Sequence, residues 1–286
     1  MMDQAQSLRK LMERKKESGI QVITVTSAKG GVGKSSIALN MAIALSMRGK
    51  RTLIVDTDFG LANIDVMLGI RAQHDLTSVI QGKKDIRQIM EVGVQGVQFI
   101  SGGSGMEELL KLAPQDMQII IDQLLGLREH IDVIIFDTGA GINENIIRMM
   151  CASHITWLVT TPEPTAMMDA YALVKVADRE TVKPHIELIV NRAKNEREAD
   201  AAMKGFIQIA GKYTNIDIKA FGYILNDEHM TQAVKRQEPL LISFPGSLAA
   251  GNIRTLANRF CAFAPAGNKT GFSGFLERLL KKKAGG

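Results

Sequence analysis

The chain has 286 residues, 45% of them hydrophobic and 23% charged, with a formal net charge of +5. This balance is ordinary for a soluble globular protein, and the length allows one large or two small domains with a substantial core. The charged opening excludes a signal peptide, no uncharged apolar run is long enough to span a bilayer, and the net charge permits anionic partners without selecting one.

The first predicted element lies near the N-terminus. Asp3 and Gln6 form an N-cap and capping-box pair, and Gly19 offers a stop. Between them Ala5, Leu8, Leu11 and Met12 recur at helical spacing. A helix this short is not stable alone, so it is expected to fold on a partner or to fray.

The β-branched run at 22–26 reads as a buried strand. It runs into Ser27-Ala28-Lys29-Gly30-Gly31-Val32-Gly33-Lys34-Ser35-Ser36. Ile37, Leu39, Met41, Ala42, Ala44 and Leu45 then mark a helix that Gly49 stops. Strand, glycine loop and helix are what a phosphate cradle requires. Glycines let backbone N–H groups close around phosphate oxygens, Lys34 reaches the terminal phosphates, and Ser35 supplies a hydroxyl for Mg²⁺. Ala28 stands where the general pattern begins with glycine. Lys29 is a second cation that the cradle itself does not need.

Further apolar runs follow at 52–55, 97–100, 133–136, 155–159, 186–190 and 221–225. They are nearly continuous, as in a parallel sheet covered on both faces. Polar residues cluster just after them: Asp56, Asp137, Asn191 and Asn226. In such sheets a ligand sits outside the carboxyl ends of the strands. Asp56 and Asp58, two apart, project to one side of an extended chain. One carboxylate can organise the waters of Mg²⁺ and the other can hold an attacking water. Asp137 closes a Walker B-like segment and leads into Thr138-Gly139-Ala140-Gly141, a turn suited to sensing a γ-phosphate. Cys151 and Cys261 lie far apart without metal spacing, which points to a reducing cytosol.

The expected organisation is an N-terminal helix over 1–19, an α/β domain over 20–263, a linker over 264–271 and a C-terminal amphipathic helix over 272–286. In that helix Phe272, Phe275, Leu276, Leu279 and Leu280 share one face, with Arg278 and lysines 281, 282 and 283 around it. This is the pattern of a short interfacial helix, apolar face in lipid and cations toward anionic headgroups. Packing on the protein's own surface, or contact with another protein, is the alternative.

Residues 29–35, 56–65, 136–142 and 161–165 resemble, in order and spacing, the motifs of the MinD/ParA family of deviant Walker A ATPases. The resemblance implies a mostly parallel twisted sheet with helices on both faces, the P-loop NTPase fold. It implies ATP or ADP with Mg²⁺ as ligands, the nucleotide held by Gly30, Gly31, Val32, Gly33, Lys34, Ser35 and Ser36. Lys29 would reach across an ATP-sandwich homodimer to the partner's phosphates, much as an arginine finger does. Lys34 would act on the phosphates of its own subunit. Asp58 would position the hydrolytic water, Ser35 and Asp137 would hold Mg²⁺, and Asp56 would help from the outer shell. Asn191 and Arg192 resemble an adenine-recognising pair. Leu225 replaces a proline common in relatives, which removes the basis for expecting base contacts from Asn226 or Asp227.

Asp3, Gln4, Ala5, Leu8 and Arg9 are similar to the activator motif of the family's FlhG group (also called YlxH or FleN). That group regulates flagellar number and placement, and the motif stimulates an FlhF-type GTPase. The implied partners are FlhF and the flagellar C-ring proteins FliM, FliN and FliY. The C-terminal helix resembles the membrane-targeting tail of MinD, which implies a cytoplasmic protein peripherally bound to the inner membrane face when it holds ATP. Alternatives within the fold are a MinD-type division-site regulator and a ParA-type partition protein, although DNA is not the expected partner.

Overall fold

The aliphatic runs form strands β1 (Gln21–Ser27), β2 (Thr52–Thr57), β4 (Gln98–Ser101), β5 (Val133–Ala140), β6 (Ile155–Thr160), β7 (Ile186–Ala193) and β8 (Ile218–Leu225). A short strand β3 (Glu91–Val92) was not expected from the sequence. They make one eight-stranded sheet in the order β3-β4-β2-β5-β1-β6-β7-β8, parallel except for the antiparallel β3–β4 pair. This is a computed structural model, and it describes residues 19–58, 63–70, 72–101, 122–123, 126–263 and 271–280.

The helices are α1 (Lys34–Ser46), α2 (Asn63–Leu68), α3 (Leu76–Ile80), α4 (Glu144–Ala152), α5 (Pro164–Ala177) and α6 (Glu196–Tyr213). They continue as α7 (Glu228–Arg236), α8 (Leu240–Ser243), α9 (Leu248–Phe263) and α10 (Gly271–Leu280). Alternation along each strand sends side chains to opposite faces. Ile23, Val25, Ile54, Ile135 and Trp157 pack under α1 and α9. Val22, Leu53, Ile134 and Phe136 face the other way, toward α4 and α10. Leu158, Leu188 and Val190 meet α5 and α6 on that second side. α1 is apolar nearly all round and lies buried in the core, as an all-apolar helix must. Trp157 anchors the first face, stacked on Phe221 at 5.3 Å and edge-on to Phe260 at 5.6 Å. Its indole N–H donates to Glu187 at 3.1 Å.

The expected bounds need two corrections. β5 does not end at Asp137. It continues through Thr138 and Gly139 to Ala140, because Thr57 and Ser27 on the flanking strands pair with Thr138 and Ala140. The segment expected to be a flexible turn is therefore mostly strand.

The second correction concerns α10. The side chains of Phe272, Phe275, Leu276 and Leu279 are buried against the chain's own sheet. Phe275 stacks on Phe136 of β5 at 5.3 Å and on Phe272 at 5.8 Å. The face expected to meet lipid is turned inward in this conformation, because β5 and α4 offer it an apolar bed. The Leu280 side chain, the segment 264–270, residues 281–286 and the N-terminal motif at 1–18 all lie outside the described residues. Among the described residues no helix is long and apolar enough to cross a membrane.

At the far end of the sheet from the strands' carboxyl ends, Asp132 accepts from Arg51 three times. The bonds come from the backbone N–H at 2.9 Å, Nε at 3.1 Å and Nη2 at 2.6 Å. Burial pushes the Asp132 carboxyl up, but the Arg51 bonds and charge outweigh it and hold the group below its ordinary range. A depressed carboxyl adds stability above its unfolded pKa and loses it as pH falls through the folded value. Asp132→Asn is expected to cost about 1 kcal/mol at pH 7, modest because the pair is half in solvent. The gap from wild type should close below about pH 3 in urea titrations. An equal gap at pH 7 and pH 3 would refute the ion-pair account.

Candidate nucleotide site

The loop between β1 and α1 is shaped by two glycines in the left-handed region, Gly31 at φ 77° and Gly33 at φ 91°. A Cβ on Gly33 would also fall on the Asn191 side-chain amide. The turn therefore requires glycine there, both for its backbone and for the close approach. Gly33 is the N-cap of α1 and offers no side-chain acceptor, and the first turn holds no acidic residue. Amide donors at the end of a 13-residue helix are thus left for an anion.

Lys34 projects from that turn and is nearly buried. Its Nζ lies 2.8 Å from Asp137 Oδ1 and 3.3 Å from the Ser35 hydroxyl. Asp137 is wholly enclosed. Burial pushes its carboxyl up, Lys34 and Ser35 pull it down, and the Asp58 charge pushes it up again, with a net upward shift. Among the described residues its Oδ2 has no hydrogen-bond partner. An orphaned carboxylate oxygen beside a hydroxyl suits a hard divalent cation, so Ser35 and Asp137 fit the Mg²⁺ that P-loop sites use.

Asp56 and Asp137 sit directly opposite each other on β2 and β5. Asp58 lies just past β2 with its carboxylate over Gly139, where a Cβ would come within 2.9 Å of Oδ1. The sequence-predicted acids are thus brought to one edge of the cradle. Residues 59–62 lie outside the described residues.

The cradle opens into a cavity of about 1010 Å³. Asn191 and Arg192, the pair read as adenine-recognising, line it. Asn191 is buried, and its Nδ2 donates to the Val32 carbonyl at 2.7 Å, which ties the end of β7 to the phosphate loop. Arg192 takes φ 59° at a bulge between Asn191 and Ala193. Such bulges re-aim a side chain, and a strained non-glycine backbone is a marker of functional sites.

Asn226 and Asp227 also line the cavity. The reason is local. The Leu225 N–H, which a proline would lack, donates to Asn252 of α9 at 3.0 Å, so the chain turns there without a proline. Burial pushes the Asp227 carboxyl up, but the N–H groups of Ala249 and His229 and the His229 ring hold it below its ordinary range.

Sequence reasoning missed two walls of this cavity, Val66 and Met67 of α2, and Met230, Thr231 and Val234 of α7. The available signal was weak: apolar residues at helical spacing on an otherwise polar helix.

Lys29 does not enter its own cradle. Its Nζ lies 3.2 Å from Glu163 and 3.0 Å from the Thr165 hydroxyl, at the N-terminus of α5. Glu163 is the N-cap of α5 but gives its helix no side-chain bond. Ile142, just before α4, and Met168 on α5 are exposed apolar residues.

A parallel sheet whose first strand turns through a glycine loop into a buried helix, with a lysine on the loop and an acid on the neighbouring strand, defines a P-loop nucleoside triphosphatase. A family model described as ParA, NUBPL iron-transfer P-loop NTPase, matches residues 19–261. The antiactivator FleN of Pseudomonas aeruginosa is 31% identical over 268 residues, covering 93% of this chain and 96% of that protein. The flagellum site-determining protein YlxH of Helicobacter pylori is 31% identical over 266 residues, 91% of this chain and 89% of its own length. Among solved structures, the septum site-determining protein MinD complexed with Mg-ADP from Pyrococcus horikoshii shares the fold. Its TM-score is 0.66 at 22% identity, over 86% of this chain and 98% of that one. The chain belongs to the ParA/MinD family of P-loop NTPases, whose members are ATPases.

Proposed function

We propose that the chain is an ATP-driven dimerising switch that regulates flagellar number and placement. The observation that carries the switch is the position of Lys29. Lys34 already serves the cradle, while Lys29 is held outside it by Glu163 and Thr165, available to a facing copy. The flagellar role rests on the likeness to FleN and YlxH over nearly the whole of each chain.

The mechanism follows from the side chains. ATP phosphates enter among the N–H groups of Gly30 to Ser36 and draw Lys34 off Asp137. Ser35 and the released Asp137 would hold Mg²⁺, which would neutralise phosphate charge. Asp58 orients a water in line with the γ-phosphorus. Lys29 of a second copy leaves its own Glu163 and meets the charge that grows on the transferred group. As the water oxygen bonds to the γ-phosphorus, its proton passes to an oxygen of the phosphate that is released, the β–γ bridging oxygen leaves with its electron pair on ADP, and the cross-subunit contact loses its anchor. Asn191 and Arg192 border the base end.

α10 would be the membrane element. It is docked here by four buried apolar side chains, and ordering its ten residues costs conformational entropy that opposes the docking. Dimerisation that disturbs β5 or α4 can therefore release it to an anionic bilayer. Two such helices on one dimer would bind much more strongly than one, through effective concentration. FlhF would be met by Asp3, Gln4, Ala5, Leu8 and Arg9, and C-ring proteins are the further partners implied.

In multi-angle light scattering, Asp58→Ala with saturating ATP and Mg²⁺ should run as a lasting dimer with little turnover. A monomer under those conditions rules the switch out. A peptide of residues 1–18 should accelerate GTP hydrolysis by a folded FlhF-type GTPase. No acceleration removes the activator role of residues 3–9 and leaves the flagellar role resting on the likeness to FleN and YlxH alone.

A further inference from the structure

Asp56 is nearly fully buried at the end of β2, and its two oxygens do different work. Oδ1 accepts the backbone N–H of Asp58 at 3.0 Å, and Oδ2 accepts the backbone N–H of Ile64 at 3.1 Å. The first bond fixes the peptide that carries Asp58. The second serves an amide in the first turn of α2, a donor with no partner inside its own helix. Bonds from backbone N–H to a carboxylate are charge-assisted and stronger than neutral ones.

α2 is constrained at other points as well. The Ile64 side chain is buried in the core beneath α1. Just beyond α2, Gly69 adopts φ 64°, and a Cβ there would stand 3.2 Å from the Gln237 carbonyl that follows α7. Gly69 thus sets the end of α2 against α7. Val66 and Met67 of α2 and Met230 and Val234 of α7 line the same cavity. The Asp58 side chain, for its part, rests over Gly139 on β5.

We infer that Asp56 is a positioning residue: it pins the backbone of Asp58 and the α2 wall of the nucleotide cavity, and it acts on turnover through them rather than on the metal. This rests on the reading of Asp58 as the water-orienting group. It departs from the outer-shell metal role that the family resemblance assigns to Asp56. A shift of about 1 Å at a reacting group can cost about 100-fold in rate, so loss of this anchor should be read in turnover.

The test compares full-length wild type, Asp56→Ala, Asp56→Asn and Asp58→Ala. Amide hydrogen exchange is followed in nucleotide-free protein. The Mg²⁺ half-saturation is followed with a fluorescent ATP analogue, and kcat and KM come from steady-state ATP hydrolysis. For Asp56→Ala, exchange at Asp58 and Ile64 should rise by about 10-fold or more, as expected when a local bond is lost. Its kcat should fall about 100-fold and its KM rise as the α2 wall loosens, with Mg²⁺ half-saturation within about 2-fold of wild type. Asp56→Asn keeps one acceptor oxygen, so it should lose protection at one of the two amides and recover part of the turnover. If Asp56→Ala does not fold, Asp56→Asn decides by the same readings. Unchanged exchange together with an Mg²⁺ half-saturation raised about 10-fold or more would overturn the inference, because a metal role shows as a change in metal binding. Full turnover by Asp58→Ala would instead remove the reading of Asp58, while raised exchange in the Asp56 variants would still establish the anchor.

Discussion

Lys34→Ala is expected to lose ATP affinity by about 100-fold or more, the scale of a charged hydrogen-bonding group removed from phosphates. It should also make stability strongly dependent on pH. Lys34 is the cation beside the enclosed Asp137 carboxylate. Without it, burial pushes that carboxyl further up with less to oppose it. A group whose folded pKa is raised adds stability below its unfolded pKa and loses it as pH rises through the folded value. The variant should therefore unfold progressively more easily as pH rises from the ordinary carboxylate range toward neutral. The deficit against wild type should reach about 3 kcal/mol at the higher pH, the scale of a buried pair broken on one side. Adding Asp137→Asn should restore stability without restoring ATP binding. Urea titrations at the two ends of that range and a fluorescent nucleotide assay measure both. A pH-independent deficit, or rescue of binding by the double variant, would show that the pair does not behave this way.

Phe136→Ala is expected to free α10. It removes the ring on which Phe275 stacks while leaving the apolar face of α10 intact. Stability should fall by about 3–5 kcal/mol, the cost of deleting a buried phenylalanine. Binding to vesicles rich in anionic lipid should rise several-fold in the absence of ATP, since docking no longer competes with lipid. Phe275→Ala should cost similar stability but bind vesicles no better than wild type, because it damages the face for both surfaces. Vesicle pelleting of the two variants separates the outcomes. Equal binding by Phe136→Ala and wild type would mean that lipid does not compete for this face.

The contrast between these phenylalanines also shows what could be read from sequence. The phosphate loop was legible because its chemistry is local: glycines with special backbone angles, a lysine, a hydroxyl, and a strand and helix on either side. The parallel sheet was legible because strands covered on both faces read as continuous apolar runs. The inward turn of α10 was not legible, since a stripe made of Phe272, Phe275, Leu276 and Leu279 looks the same whether it faces lipid or Phe136. Strand periodicity likewise stops at polar residues. It therefore ended β5 at Asp137, although pairing with β1 and β2 carries that strand to Ala140. The cavity walls from α2 and α7 depend on contacts between segments more than 150 residues apart, which no local pattern records. The bond from Asn191 to Val32 is of the same kind.

The bed under α10 has a consequence for how the chain is made. Val22, Ile134 and Phe136 belong to strands that leave the ribosome well before residues 271–280 are synthesised. Until α10 arrives, the nascent protein carries an uncovered apolar strip beside its finished sheet, the kind of surface that chaperones hold and that neighbouring chains on a polysome can stick to. A ribosome that pauses before Gly271 would prolong that exposure. The arrival of α10 therefore closes an apolar strip that has stood open since β5 was made.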